Sequence, residues 1–342
     1  MIKVLIIIIF LIVANLPAIS FDLQSASFSL NAQSQDINSL TETRKIEELL
    51  DDLENNWNLH DINKVARHYA DGFINGDSLD LESVKKLTEE LWEAYPDIKC
   101  VSKERIVRVN GEYATVENTD VYQGTSKTLR SEVGTKGILK AVASGNTFLK
   151  KFGPTWKITS DKTFVEKVSI AYGVGEELVD RNKVVLSAPE QVASGQQYTA
   201  KVDLDLPQDI KAVAAISKEL LVYPQVSSED KFRLVDETKL ERLLYANKIS
   251  KNELLTTTVG LTGGPLKPKL LGLVFLSRRV NVVPVSPQVA EVSIIKEAAK
   301  SSLTKSSDLL DVYPDEKKSQ NEVKNKNSKD KTKSKDLLDL EE

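Results

Sequence analysis

One cysteine, Cys100, and two histidines, His60 and His68, are the whole thiol and imidazole inventory of this 342-residue chain. They exclude an intrachain disulfide framework and a structural zinc site of the four-Cys or two-Cys/two-His kind. Cys100 opens a strand-like run with no histidine positioned to activate it, so its expected role is that of a small buried hydrophobe. His68 and Tyr69 are neighbours on an expected helix and point to different faces, which obstructs a joint catalytic role. Asp71, Asn75, Gly76 and Glu82 fall at positions 1, 5, 6 and 12 of a calcium-loop pattern, but Phe73 stands at position 3 and Ser78 at position 8. Those positions need an oxygen ligand and an apolar residue, so no metal is expected. Gly173-Val174-Gly175 and the run 260–264 lack the context of phosphate loops, and no cofactor is expected. Asp77, beside Gly76 and Ser78, reads by itself as a turn residue. The aromatic residues Trp57, Tyr69, Phe73, Trp92 and Tyr95 serve either as core or as the lining of a cavity for an apolar ligand.

The elements that position these residues follow from periodicity. Ser39 and Glu42 form a capping box that starts a helix carrying Ile46, Leu49, Leu50, Leu53 and Trp57 on one face. Asp61 caps a second helix with Ile62, Val65, Ala66 and Tyr69 inward, and Asp80 caps a third with Val84, Leu87, Leu91, Trp92 and Tyr95 inward, ended by Pro96. The period then changes to two. Asn110-Gly111 between apolar runs is a hairpin signal of the type I′ kind. Further strands run over 137–152 and 155–158, joined through Phe152-Gly153-Pro154. Helices followed by antiparallel strands indicate an α+β domain over residues 39–172.

Residues 183–287 read as strands with short polar breaks, which suits a two-sheet sandwich, with 234–245 as a short helical insertion. Segment 288–313 reads as helix or linker. The tail 314–342 lacks aromatics, mixes Lys with Asp and Glu, and is expected to be disordered. At the other end, Lys3, the apolar run from Val4 to Ala14 and Ala18-Ile19-Ser20 have the order of a secretory signal over residues 1–20, cleaved after Ser20. The run is shorter than the roughly 20 residues that span a bilayer, so the expected membrane contact is the transient leader alone. Residues 21–38 read as a flexible lead-in. A net charge of −4 shows no basic excess, and nucleic acid is not an expected partner.

His60-Asp61, Val65-Ala66 and His68-Tyr69-Ala70-Asp71, the hairpin around Asn110-Gly111, and the late runs 148–151 and 156–161 together resemble the nuclear-transport-factor-2-like (SnoaL-like) superfamily. The opening of 183–287 resembles bacterial immunoglobulin-like β-sandwich domains. The first resemblance implies a cone of three helices packed on a curved antiparallel sheet. It also implies that Asp77, eight residues after Tyr69, matches the general base of ketosteroid-isomerase-like members. Their oxyanion-stabilising tyrosine is replaced here by Leu53, which cannot donate a hydrogen bond.

The leading expectation is therefore an exported, non-enzymatic binding or assembly protein in the periplasm, at the cell surface or outside the cell. Its expected partners are a small apolar ligand in the cone, lined by Trp57, Tyr69, Phe73, Trp92 and Tyr95, and an envelope or extracellular protein. A homodimer stays open. The alternative is an exported isomerase, dehydratase or hydrolase with Asp77 as base and Tyr69 or His68 assisting. A third reading is a structural envelope protein with a filled cone.

Overall fold

The computed structural model describes residues 29–223, 232–235, 238–264 and 268–285, with side chains from residue 39 onward. The expected leader with its Ser20 cleavage point, and the segments 288–313 and 314–342, lie outside the described residues. The described residues fall within one compact unit, Met1–Val285.

Three helices come first: α1 (Ser29–Asn58), α2 (Ile62–Ala66) and α3 (Leu81–Ala94). The α1 helix starts ten residues before the expected capping box, so Ser39 and Glu42 lie inside it and the lead-in is helical from Ser29. Glu42 instead accepts from Trp156 Nε1 at 2.7 Å and pairs with Lys45 and Lys151. The other two helix starts are capped as expected: Asp61 accepts from Lys64 N–H and Asp80 from Ser83 N–H.

Four long strands follow: β1 (Lys99–Asn110), β2 (Tyr113–Arg130), β3 (Thr135–Phe152) and β4 (Thr155–Gly173). The first hairpin turns on Gly111-Glu112, since Asn110 pairs with Tyr113, and only Gly111 takes positive φ. Gly at the first central position is the chemistry of a II′ turn, so the expected I′ turn is corrected by one residue. Bulges in β1, β2 and β4 bend this meander around the helices.

A fourth helix not expected from the sequence, α4 (Val174–Asp180), leads into β5 (Val184–Ser187), β6 (Gln191–Ala193), β7 (Gln197–Leu204) and β8 (Ile210–Leu220). Then come β9 (Arg233–Val235), β10 (Lys239–Tyr245), β11 (Glu253–Gly263) and β12 (Lys269–Val283). The helical insertion expected over 234–245 is instead strand over 234–235 and 239–245: every residue of β10 pairs with β7. Pairing energy and the face this strand offers the core override its helix-like spacing.

The long sheet runs β1-β2-β3-β4-β12-β11-β8-β9, and β10-β7-β5 forms a second sheet. The meander and the sandwich therefore share one sheet through the β4–β12 pairing. β12 serves both halves. Its Leu273 and Phe275 join the core beneath the helices, and its Val274, Leu276, Val280 and Val282 join the core between the two sheets.

Candidate acid–base site in the cone

Strand register arranges the inward side chains of the meander in transverse rows. Cys100, Tyr122, Ala141 and Val168 form an apolar row, and Val109, Ala114, Leu149 and Ile158 form another. Between them lie three rows rich in polar groups: Ser102–Asp120–Ala143–Glu166, Arg105–Asn118–Gly145–Thr163 and Val107–Val116–Thr147–Asp161. Ala141, Ala143 and Gly145 on β3 are small, which leaves room above the middle of the sheet. A cavity of about 130 Å³ occupies the space between sheet and helices. Leu53, Trp57, Val65 and Leu91 wall it from the helices, and Ser102, Arg105, Asn118, Asp120 and Asp161 from the sheet. Tyr69 walls it from the segment after α2, which ends at Ala66 and so does not carry Tyr69 as expected.

Asp120 is the chemically distinctive group. It is buried, and burial pushes its carboxyl up to about 6 against the help of Ser102, Arg105 and Asn118. Ser102 Oγ donates to it at 2.5 Å, and Asn118 Nδ2 lies 3.1 Å from both oxygens. Arg105 approaches from β1 with its two terminal nitrogens bonded to Asp51 and to Glu54. The Tyr69 hydroxyl is held well above its ordinary range by burial, then by the charges of Asp161 and Asp120. Burial likewise drives Asp161 upward, with Asp77 adding to the rise and Arg279 opposing it.

The expected base, Asp77, is not among the residues lining the cavity. Arg279 on β12 donates from Nη1 and Nη2 to its two oxygens at 2.8 and 2.6 Å, and Asn252 adds a third bond. A carboxylate held in a bidentate pair with an arginine buried at 1 % exposure has its charge answered within the fold. Its role is to tie the α2–α3 loop to the strand shared with the sandwich. Glu166, next to this pair, is pushed up to about 8 by burial, with Arg279 opposing and Asp77 adding to the rise. Neither of its carboxyl oxygens has a hydrogen-bond partner.

His68 Nε2 pairs with Asp52 at 3.0 Å, outside the cavity lining, so it does not join Tyr69 in one site. Of the five aromatics, Trp57 and Tyr69 line the cavity. Phe73, Trp92 and Tyr95 do not: Phe73 lies edge-on to Tyr69 in the core, Trp92 stacks on His60 at 4.7 Å, and Tyr95 is packed in the apolar cluster below. Cys100 is buried with its thiol pushed up by burial, as an inert hydrophobe would be. In the loop 71–82, Asn75 Oδ1 accepts from the N–H groups of Asp77 and Leu79, and Glu82 pairs with Lys85. Among the described residues no cluster of three or more His, Cys, Asp or Glu is placed to hold a metal ion.

Ser102, Arg105, Asn118 and Asp120 carry no motif, and the sequence reading passed over them; Asp161 entered it only as the last residue of the run 156–161. Their signal was phase: in the run 114–122 the even positions face the helices, and Asn118 and Asp120 hold two of them between Val116 and Tyr122.

No family model and no curated protein matches the chain. Among solved structures, it is similar in part to a protein provisionally named a scytalone dehydratase from Novosphingobium aromaticivorans. Identity there is 16%, over 38% of this chain and 86% of that one, with a TM-score of 0.32. A hexachlorocyclohexane dehydrochlorinase from Novosphingobium barchaimii is 14% identical, over 37% of this chain and 88% of that one, at a TM-score of 0.31. An NTF2-like protein from Cytophaga hutchinsonii is 14% identical, over 34% and 93%, at 0.25.

Proposed function

We propose that the cone binds a small, uncharged, mostly apolar molecule and that Asp120 transfers a proton to or from it. The carrying observation is a buried carboxyl on the cavity wall whose affinity for a proton is raised to about 6. Such a group exchanges protons near neutral pH with useful driving force in both directions. An uncharged ligand follows from the lining: Arg105 is already neutralised by Asp51 and Glu54, and Lys85 by Glu82. The resemblance to SnoaL-like enzymes supports acid–base chemistry, with Asp120 in the place first expected for Asp77. Membership of that superfamily, an immunoglobulin-like kinship of the sandwich, and export by the leader belong to the same proposal.

The test is turnover of small cyclic ketones and hydroxyketones in D2O, followed by proton NMR as deuterium incorporation, isomerisation or loss of water. Asp120→Asn is expected to lower the rate by about 100-fold or more, and kcat/KM to show an ionisation near pH 6. Turnover untouched by Asp120→Asn would remove Asp120 from the chemistry. Retention of a ligand with no turnover would favour pure binding, a reading supported by the Ser102 and Asn118 bonds that already occupy Asp120.

A further inference from the structure

We infer that the cavity holds a subsite for a ligand hydroxyl, formed by the Nε–H of Arg105 and the Oδ1 of Asn118. The two residues are direct cross-strand partners on β1 and β2, and both line the cavity. Arg105 spends Nη1 on Asp51 and Nη2 on Glu54, leaving Nε–H buried without an acceptor. Asn118 turns its amide nitrogen to Asp120, within hydrogen-bond reach of both oxygens, which fixes the amide orientation and leaves Oδ1 buried without a donor. Asn118 is 9 % exposed, so bulk water does not satisfy it.

An unmade buried hydrogen bond carries the desolvation cost of its group, so an orphaned donor beside an orphaned acceptor selects a ligand group with both capacities. A hydroxyl accepts from Arg105 and donates to Asn118 through one atom. A ketone or ether oxygen answers only Arg105. An ammonium answers only Asn118 and meets the guanidinium charge, while a carboxylate meets the Oδ1 lone pairs and Asp120. Any water at this point is displaced without loss only by a group that reproduces both bonds. A cavity of about 130 Å³ is close to the roughly 150 Å³ that accommodates benzene, so a ligand body of about one six-membered ring fits it. The ligand class is a monocyclic alcohol, seated with its hydroxyl beside the side chain that holds Asp120.

This deepens the acid–base reading by naming the substrate class, and it is tested by binding rather than by turnover. Isothermal titration of the full chain at pH 7.5 compares cyclohexanol with cyclohexanone and with methoxycyclohexane. Cyclohexanol is expected to bind about tenfold or more tightly than either. Arg105→Lys, which keeps the charge facing Asp51 and Glu54 but lacks Nε–H, is expected to shrink that preference to about threefold or less. Equal affinities in the wild type, or a preference undiminished in Arg105→Lys, overturn the subsite. If Arg105→Lys does not fold, the wild-type comparison decides alone. No alcohol preference with turnover lost in Asp120→Asn removes the subsite and leaves the acid–base reading; the reverse pattern removes the acid–base reading and leaves the subsite.

Discussion

Replacing Asp120 by Asn should stabilise the protein at alkaline pH while removing the proton that the proposed reaction transfers. The folded carboxyl has its ionisation raised from 3.8 to about 6, with burial as the main cause. The folded state therefore binds this proton more tightly than the unfolded chain does. Below about pH 4 both states are protonated and Asp120 carries no ionisation penalty. Between about pH 4 and 6 the unfolded chain releases its proton first, so stability falls as pH rises, and above about pH 6 the full penalty stands. A rise of about two units at 1.36 kcal/mol each makes that penalty about 3 kcal/mol. Asn keeps the volume and one accepting oxygen but never ionises, so part of the Ser102 and Asn118 bonding is lost. The net expectation is a gain of about 1–3 kcal/mol at pH 8 and no gain at pH 4. Urea unfolding at pH 4, 6 and 8 measures it, with the variant-minus-wild-type difference cancelling the titrations both proteins share. A difference that does not grow with pH, or a wild type more stable at pH 8, would refute the assignment of Asp120 as a desolvated carboxyl.

Three further outcomes follow from the charged groups. Arg279→Met leaves Asp77 buried and unpaired and should cost about 3–5 kcal/mol in urea unfolding. The double variant Asp77→Leu/Arg279→Met should recover most of that loss; a double variant as unstable as the single one would count against the pair. Glu166 titrates at about 8 in the folded protein because it is buried, so its contribution to stability declines as pH rises from about 4.5 toward 8. Glu166→Gln should accordingly gain melting temperature over the wild type as pH goes from 5 to 9, read by calorimetry. Glu42 moves the opposite way, to about 2, through hydrogen bonds from Lys45 first and then Lys151. Its contribution is present above about pH 4.5 and lost as pH falls toward 2, so Glu42→Gln should cost about 1 kcal/mol at pH 7 and nothing near pH 2, measured by tryptophan fluorescence.

What could be read along the chain was local. The caps at Asp61 and Asp80 act on backbone groups three residues away, and the helix faces around Leu50 and Trp92 follow from spacing alone. Hairpin positions were legible because glycine marks a positive φ, although the turn centre moved from Asn110-Gly111 to Gly111-Glu112. The pairing of Asp77 with Arg279 was not legible because the two lie 202 residues apart, the arginine on a strand whose pairing with β4 has no local mark. The run 239–245 has helical spacing, and only its long-range pairing with β7 makes it strand. Asp120 and Asn118 were in principle legible as polar residues in the inward phase of a strand. Seeing them required extending β2 beyond Val116, where the apolar alternation that announces a strand stops.

The two-sided β12 has a consequence for how the molecule is made. The cone's helices and meander leave the ribosome first, but the cone lacks Leu273, Phe275 and the Arg279 that answers Asp77 until the last described strand emerges. During synthesis of the intervening hundred or so residues, β4 has an open edge and the loop carboxylate has no counterion. The sandwich is also unfinished then, because the same strand supplies Val274, Leu276, Val280 and Val282 to its core. Both halves thus reach their final form in one late event, when a single segment is laid between them. A nascent chain stopped before residue 269 would hold two incomplete halves rather than one finished domain and one pending.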